Sequence, residues 1–410
     1  MTTPATATAR PKKGSPVTGR PTGPAELVAR ARKLRPLLRT YSAQGENDRR
    51  LPENSYRALA EAGLLRLSVP RRFGGYEASL RVQTEVSAVL AEADAGAAWI
   101  AAVGNSNAFS LSLFPEFIQE EVFGADPTAH LCGVVAPSGE AQAVAGGWRV
   151  TGRWHYASGS WHSGWALLGV PLRDESGATV DHALALVPRR DFTVEDTWYV
   201  SGLRSSGSAC VVVDDVFVPK ARVLSVLEFL AGDNADRYPH APLYQSSVAP
   251  VLSVLLAGPL PGLAREALRV VSEEASTKTF AYTFFANRAE SALVQAQVAQ
   301  AAMKVDSAHM HVCRAADVID RAAAAGVRLD RSARARIRAD IGYVADLTTE
   351  AVELLLDAHG AGAFANSHPL QRIWRDLSVA ARHAALVSSV GYEALGKAML
   401  GIDQPVSMLV

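Results

Sequence analysis

Cysteine is scarce in this chain: Cys132, Cys210 and Cys313 stand far apart and in no Cys-x-x-Cys spacing. An odd, scattered set excludes a disulfide framework or thiolate zinc site and points to a reducing, cytoplasmic setting. Long apolar runs are missing too. The longest, around 251–257, meets Gly258, Pro259 and Pro261 well short of the roughly 20 residues that span a bilayer, so no membrane partner is expected. Net charge is absent, with 41 Lys+Arg against 41 Asp+Glu, which removes the field that nucleic acid would need. There is no GxGxxG after a strand, no P-loop and no HExxH, and no metal site is expected. The first 23 residues lack the apolar stretch of a secretory signal and read as a disordered tail.

What is present is a soluble-protein composition, 49% hydrophobic and 20% charged, in three rhythms. Residues 24–129 are helical in pattern, with Leu27, Ala31, Leu34 and Leu38 at spacings of three and four. Leu59, Ala62, Leu64 and Leu65 form another stripe, and Pro115 opens a helix over 116–122. Residues 130–224 break into short strands. Trp148 to Thr151 and Trp154 to Ala157 read as a hairpin through Gly152-Arg153, and Asp214-Asp215 as a turn into 216–218. This predicts a small antiparallel sheet or barrel. Residues 225–410 return to a helical rhythm from about Ser247, in four long segments. Val305, Ala308, Val312, Ala316 and Ile319 keep one face; Ile337, Ile341, Val344, Leu347, Ala351 and Leu355 keep another. The expected fold is α+β but mostly α: an N-terminal helical domain, a small antiparallel β domain and a C-terminal four-helix bundle.

That order resembles the acyl-CoA dehydrogenase superfamily. Gly152-Arg153-Trp154-His155-Tyr156-Ala157-Ser158-Gly159 is similar to the strand that lies along the flavin ring there. Gly202-Leu203-Arg204-Ser205-Ser206-Gly207-Ser208, then Val212 to Pro219, resembles the family's closing β segment. His359-Gly360-Ala361-Gly362 and Pro369 to Asp376 resemble its last helices. The resemblance implies flavin contacts from Trp99, Val134, Val135, Tyr156, Ala157, Ser158, Ser206, Gly360 and Ala361. Lys278, with Arg288 as alternative, would hold the flavin phosphate.

A dehydrogenase of this family removes a proton α to a thioester with a carboxylate. The two positions where members keep that Glu fall on Ala384 and near Leu252. Arg382-His383-Ala384, Ser158-Gly159-x-x-His162 and Asp196-Thr197-Trp198 instead resemble the two-component monooxygenase branch. That branch takes reduced flavin (FMNH2 or FADH2) from a separate NAD(P)H flavin reductase and hydroxylates through a flavin C4a-hydroperoxide formed with O2. The implied roles are Ser158 at flavin N5, His383 as candidate base toward the substrate, and Asn107 where relatives often place a second His. Asn cannot take a proton, so amine and heteroaromatic substrates stand beside phenols. The implied assembly is a homotetramer. An acyl-CoA dehydrogenase or oxidase with another base, or a non-catalytic flavin-binding protein, are the alternatives. His155 and His162 are unassigned, Trp154, Trp161 and Trp198 read as core, Cys132 as a small core residue, and the arginine-rich run 328–338 as a solvated helix face.

Overall fold

A computed structural model describes residues 23–231, 238 and 240–407. Five helices open the chain: α1 (Pro24–Asp48), α2 (Glu53–Glu61), α3 (Leu80–Ala91), α4 (Ala95–Leu111) and the short α5 (Glu116–Gln119). Pro115 caps α5, where a missing N–H costs nothing. The α4 sequence AGAAWIAAVGNSNAFSL is rich in small residues, so neighbours approach it from all sides. Every residue in it but Val103 is buried. Asp94 starts it by accepting from Ala97 N at 2.7 Å.

Eight strands follow: β1 (Leu131–Val134), β2 (Glu140–Val144), β3 (Gly147–Ala157), β4 (Trp165–Arg173), β5 (Thr179–Pro188), β6 (Thr193–Glu195), β7 (Ala209–Pro219) and β8 (Val223–Ser225). They make one sheet in the order β6-β7-β3-β2-β4-β5-β8, with β1 also on β4. Both β1 and β2 run parallel to β4, so the sheet is mixed where an antiparallel one was expected. Two further expectations change. The segment from Trp148 to Ala157 is one continuous strand, and the hairpin is β2–β3, turning at Ala145-Gly146. Asp214-Asp215 is a bulge within β7 opposite Thr151: the register slips between Val150 and Gly152, and Asp215 N donates to Thr151 Oγ1 at 2.9 Å.

The chain then forms α6 (Val226–Ala231), α7 (Val248–Ala257), α8 (Pro259–Glu274), α9 (Ala292–Ala324), α10 (Arg331–His359), α11 (Pro369–Ala380) and α12 (Ser388–Met399). Pro259 and Pro261 do not end the apolar run, because Pro is tolerated in the first turn of α8. Val248–Glu274 thus has the length and composition of a membrane span, yet 89% of its apolar window is buried inside the fold. Against α10 pack α9, α12, α8, α7 and α11, a helical bundle as the periodicity predicts but with more helices than the four expected. Its stripes are buried as expected, including Val312 and Ile341. One apolar core joins these helices to α1–α4, and the sheet carries a second core around Trp154, Val170 and Val211. α4 lies against β1, α7 and the Arg204–Ser206 turn, which brings helix, sheet and bundle to one place.

Candidate active site

Trp99 on α4 is buried and donates through Nε1 to Ser158 Oγ at 3.1 Å. Ser158 follows β3, whose register slips between Trp154 and Ala157 while Tyr156 takes φ +70°. That irregularity turns Tyr156 outward, 72% exposed, and leaves Ala157 and Ser158 buried. Gly159 at φ +73° lets the chain turn past His130; a Cβ there would sit 2.5 Å from His130 Nε2. The 202–208 loop closes over this turn. Its Leu203 N donates to Asp376 Oδ1 at 2.7 Å, and Ser206 O accepts from Gly159 N at 2.9 Å. Ser158 Oγ stands 2.8 Å from Ser208 Oγ, which stands 2.7 Å from Ser206 Oγ. Trp99, Ser158, Ser208 and Ser206 form one buried chain of hydroxyls ending on an indole.

The other side of Trp99 meets His383, with ring centroids 5.7 Å apart at 62°. His383 does not lie on a bundle helix. It caps the Ala384–Leu386 turn between α11 and α12, with Nδ1 accepting from Ala385 N at 3.2 Å. The residue is open to solvent, yet the surrounding protein and then the Arg338 guanidinium hold its pKa below the usual histidine value. Arg338 is no part of a solvated face. It is 3% exposed, donates through Nη2 to Ala384 O at 3.0 Å, and its buried Nη1 has no hydrogen-bond partner among the described residues. It belongs to the α10 stripe of Ala335, Gly342 and Ala345, a spacing visible in the sequence. Ala384 adjoins His383, and α7, the helix of Leu252, packs on the same turn. Neither position supplies a carboxylate.

Asn107 is buried on α4 two turns beyond Trp99 and donates through Nδ2 to Leu131 O at 2.9 Å. Val134 ends β1 half-buried, and Val135 is exposed. His162 is tied down, with Nε2 2.9 Å from Leu51 O and its ring stacked 4.3 Å from Tyr56. His155 is exposed, while Trp154, Trp198 and Cys132 are core residues; burial pushes the Cys132 thiol up to about 11.

Lys278, Arg288, Gly360 and Ala361 form a separate group. Arg288 Nη1 donates to Ala358 O at 2.9 Å, and its buried Nε has no partner among the described residues. Gly360 at φ +80° admits this guanidinium; a Cβ would lie 2.6 Å from Nη2. Lys278 Nζ is 2.9 Å from His359 Nε2, beside Glu274 and His368. Glu274, His359 and His368 converge within 4.8 Å. However, His368 Nδ1 accepts from Leu370 N at 3.2 Å, which places the hydrogen on Nε2, the atom facing Glu274 at 3.1 Å. The trio is thus paired internally, with an ammonium beside it. Among the described residues no hydrogen bond, ion pair or ring contact joins this group directly to Ser158, Trp99 or His383. The sequence reading missed Ser208 and Arg338.

A helical layer, a central sheet and a helical bundle meeting at a buried hydroxyl define an acyl-CoA-dehydrogenase-type flavoprotein. The family described as "Acyl-CoA dehydrogenase, N-terminal domain" matches residues 29–115, and "Acyl-CoA dehydrogenase, C-terminal domain" matches 254–388. The oxygenase subunit HsaA of a flavin-dependent monooxygenase from Rhodococcus jostii is 32% identical over 373 residues, covering 90% of this chain and 97% of that protein. The oxygenase component of an FADH(2)-dependent resorcinol hydroxylase from Rhizobium sp. is 31% identical, covering 92% and 94%. Among solved structures, XiaF from Streptomyces sp. in complex with FADH2 and glycerol superposes with a TM-score of 0.90 at 38% identity, covering 93% and 96%. The chain belongs to the acyl-CoA dehydrogenase superfamily, in its branch of two-component flavin-dependent monooxygenases, and is an enzyme that uses reduced flavin and O2. Its residues fit that cofactor: the buried hydroxyl relay could hold a ring nitrogen, and Arg288 Nε, without a partner among the described residues, with Lys278 and the Cβ-free Gly360 would suit a phosphate.

Proposed function

We propose that the enzyme hydroxylates a small aromatic, heteroaromatic or amine compound, with Ser158 serving the flavin and His383 the substrate. The observation that carries this is Trp99, which hydrogen-bonds the buried Ser158 hydroxyl and packs its ring against that of the exposed residue His383. Acyl-thioester oxidation would need a carboxylate base, and Ala384 and Leu252 offer none. Relatives named as hydroxylases of resorcinol and p-hydroxyphenylacetate, and as an indole-3-acetate monooxygenase, support an aromatic ring as substrate.

The reduced flavin, when bound, supplies the activation of O2. This chain's residues orient and protect. Trp99 and Ser208 hold the Ser158 hydroxyl, which would hold the hydrogen at flavin N5 when the cofactor binds. Buried Ala157 and half-buried Val134 would wall the ring, exposed Val135 and Tyr156 would be covered only when flavin binds, and Ser206 closes the relay behind Ser158. Asn107 gives one of its two amide hydrogens to Leu131 O, and its second N–H and its carbonyl oxygen remain to donate and accept. Lys278, with Arg288, Gly360 and Ala361, takes the phosphate. Because no direct contact among the described residues links these four to Ser158, a partner subunit is proposed to lend them, in a homotetramer. Exposed Leu293, Met303 and Met310 on α9 and Met399 at the end of α12 support such an interface. Light scattering at micromolar concentration should give four times the chain mass; a monomer would contradict the assembly. A separate NAD(P)H flavin reductase in the cytoplasm supplies the cofactor.

Equilibrium binding tests the reading. The purified protein should be colourless and bind reduced flavin more tightly than oxidised flavin. Tightly held oxidised flavin that acyl-CoA bleaches would favour dehydrogenation instead.

A further inference from the structure

We propose that His383 meets the substrate as a hydrogen-bond donor, through Nε2–H, so that the substrate presents an acceptor there: an ionised phenol oxygen, a carbonyl oxygen or a bare ring nitrogen, and not an ammonium or N–H group. The proposal rests on reading His383 as the substrate-facing group and adds the direction of its hydrogen bond.

A neutral imidazole has one donor and one acceptor nitrogen. The acceptor of His383 is already spent. Nδ1 takes the Ala385 N–H at 3.2 Å, within a turn that also runs from Leu386 N to His383 O at 2.7 Å and from His383 N to Ala380 O at 3.1 Å. The hydrogen therefore sits on Nε2. Taking up a proton would place a second hydrogen on Nδ1, facing the amide hydrogen of Ala385. It would also add a cation beside Arg338, which has no carboxylate partner among the described residues and holds the same turn through Ala384 O at 3.0 Å. Proton acceptance thus breaks the cap and repels a buried guanidinium, whereas donation through Nε2 costs neither.

The same motif occurs a second time, where its acceptor is visible. His368 Nδ1 accepts from Leu370 N at 3.2 Å, and His368 Nε2 reaches the Glu274 carboxylate at 3.1 Å. At His383 the motif is repeated, but Nε2 has no acceptor among the described residues and the residue is exposed. Its acceptor is brought by the substrate. An anionic oxygen suits the site best, since Arg338 lies behind the turn with no carboxylate partner among the described residues.

Nuclear magnetic resonance of the flavin-free full chain with nitrogen-labelled histidine tests the tautomer, with His383→Gln assigning the signal. The expected result is an Nε2–H imidazole; an Nδ1–H imidazole would overturn the proposal. A second arm uses 4-nitrophenol, whose absorbance reports ionisation. The protein should bind it as the phenolate. His383→Ala should weaken binding about 10- to 150-fold, the effect of a lost hydrogen bond to a charged group, and His383→Gln, which keeps an N–H, should recover part of it. Absent binding, binding as the neutral phenol, or equal affinity in His383→Ala would each overturn the proposal. Failure of the monooxygenase reading shows separately, as no hydroxylated product from reduced flavin and O2, while the tautomer result stands.

Discussion

The indole of Trp99 donates its single hydrogen to Ser158 Oγ at 3.1 Å, and this bond constrains what Ser158 can do next. A hydroxyl has one hydrogen and two lone pairs. With one lone pair spent on Trp99, the second is free for flavin N5–H only if Ser158 gives its own hydrogen to Ser208, 2.8 Å away.

Ser158→Ala should therefore raise the rate at which O2 consumption is diverted to free H2O2 by about 5- to 150-fold, the equivalent of one lost buried hydrogen bond. Ser208→Ala should leak in the same direction but less, because Ser158 keeps Trp99. Peroxide assayed against product in both variants checks this. Unchanged coupling in a folded Ser158→Ala protein contradicts the role.

The acid limb of the pH–rate profile should lie below the ordinary histidine pKa of about 6.5, because desolvation by the surrounding protein and then Arg338 lower that of His383 even though the residue is reached by solvent. A lowered pKa keeps the imidazole neutral at pH 7, and activity falls only as pH drops through the lowered value. Arg338→Met removes a cation and should move the limb upward. His383→Ala should remove it and slow product formation about 10²–10³-fold with little change in flavin affinity. A limb that stays in place in Arg338→Met rules out the electrostatic part.

Asp376 anchors the 202–208 loop through Leu203 N, and burial, ahead of all other causes, pushes its carboxyl up to about 7. For an acid with a raised folded pKa, the stabilising contribution is present below its unfolded pKa of about 3.9 and is lost as pH rises toward 7. Asp376→Asn keeps an acceptor for Leu203 and removes the buried charge. Its Tm should exceed that of the wild type at pH 8, and the gap should narrow as pH falls toward 5. A lower Tm at pH 8 contradicts the argument.

Much of this was legible in the sequence where the determinant is local. The stripes Val305 to Ile319 and Ile337 to Leu355 name the bundle because helical periodicity needs only neighbours three and four apart. Non-local pairings were not legible. Nothing in β1 or β2 says that each will lie parallel to β4, and Gly152 reads as a turn residue until β7 is seen to bulge opposite Thr151. At the site, Trp99, Ser158 and His383 came from motif resemblance, and the structure brings all three together. Ser208 was hidden because its role depends on a hydroxyl 50 residues away in sequence. Arg338 was hidden in an arginine-rich run, although its spacing from Gly342 and Ala345 sets it on the buried stripe.

The most direct measurement mixes the purified enzyme, anaerobically reduced flavin and one aromatic probe (resorcinol, p-hydroxyphenylacetate or indole-3-acetate) with isotopically labelled O2, with no reductase present. Monooxygenation predicts a hydroxylated product carrying one labelled oxygen atom and formed only when the enzyme is present. Unlabelled or absent product with all three probes, together with reduction of the oxidised flavin form by acyl-CoA, would contradict it.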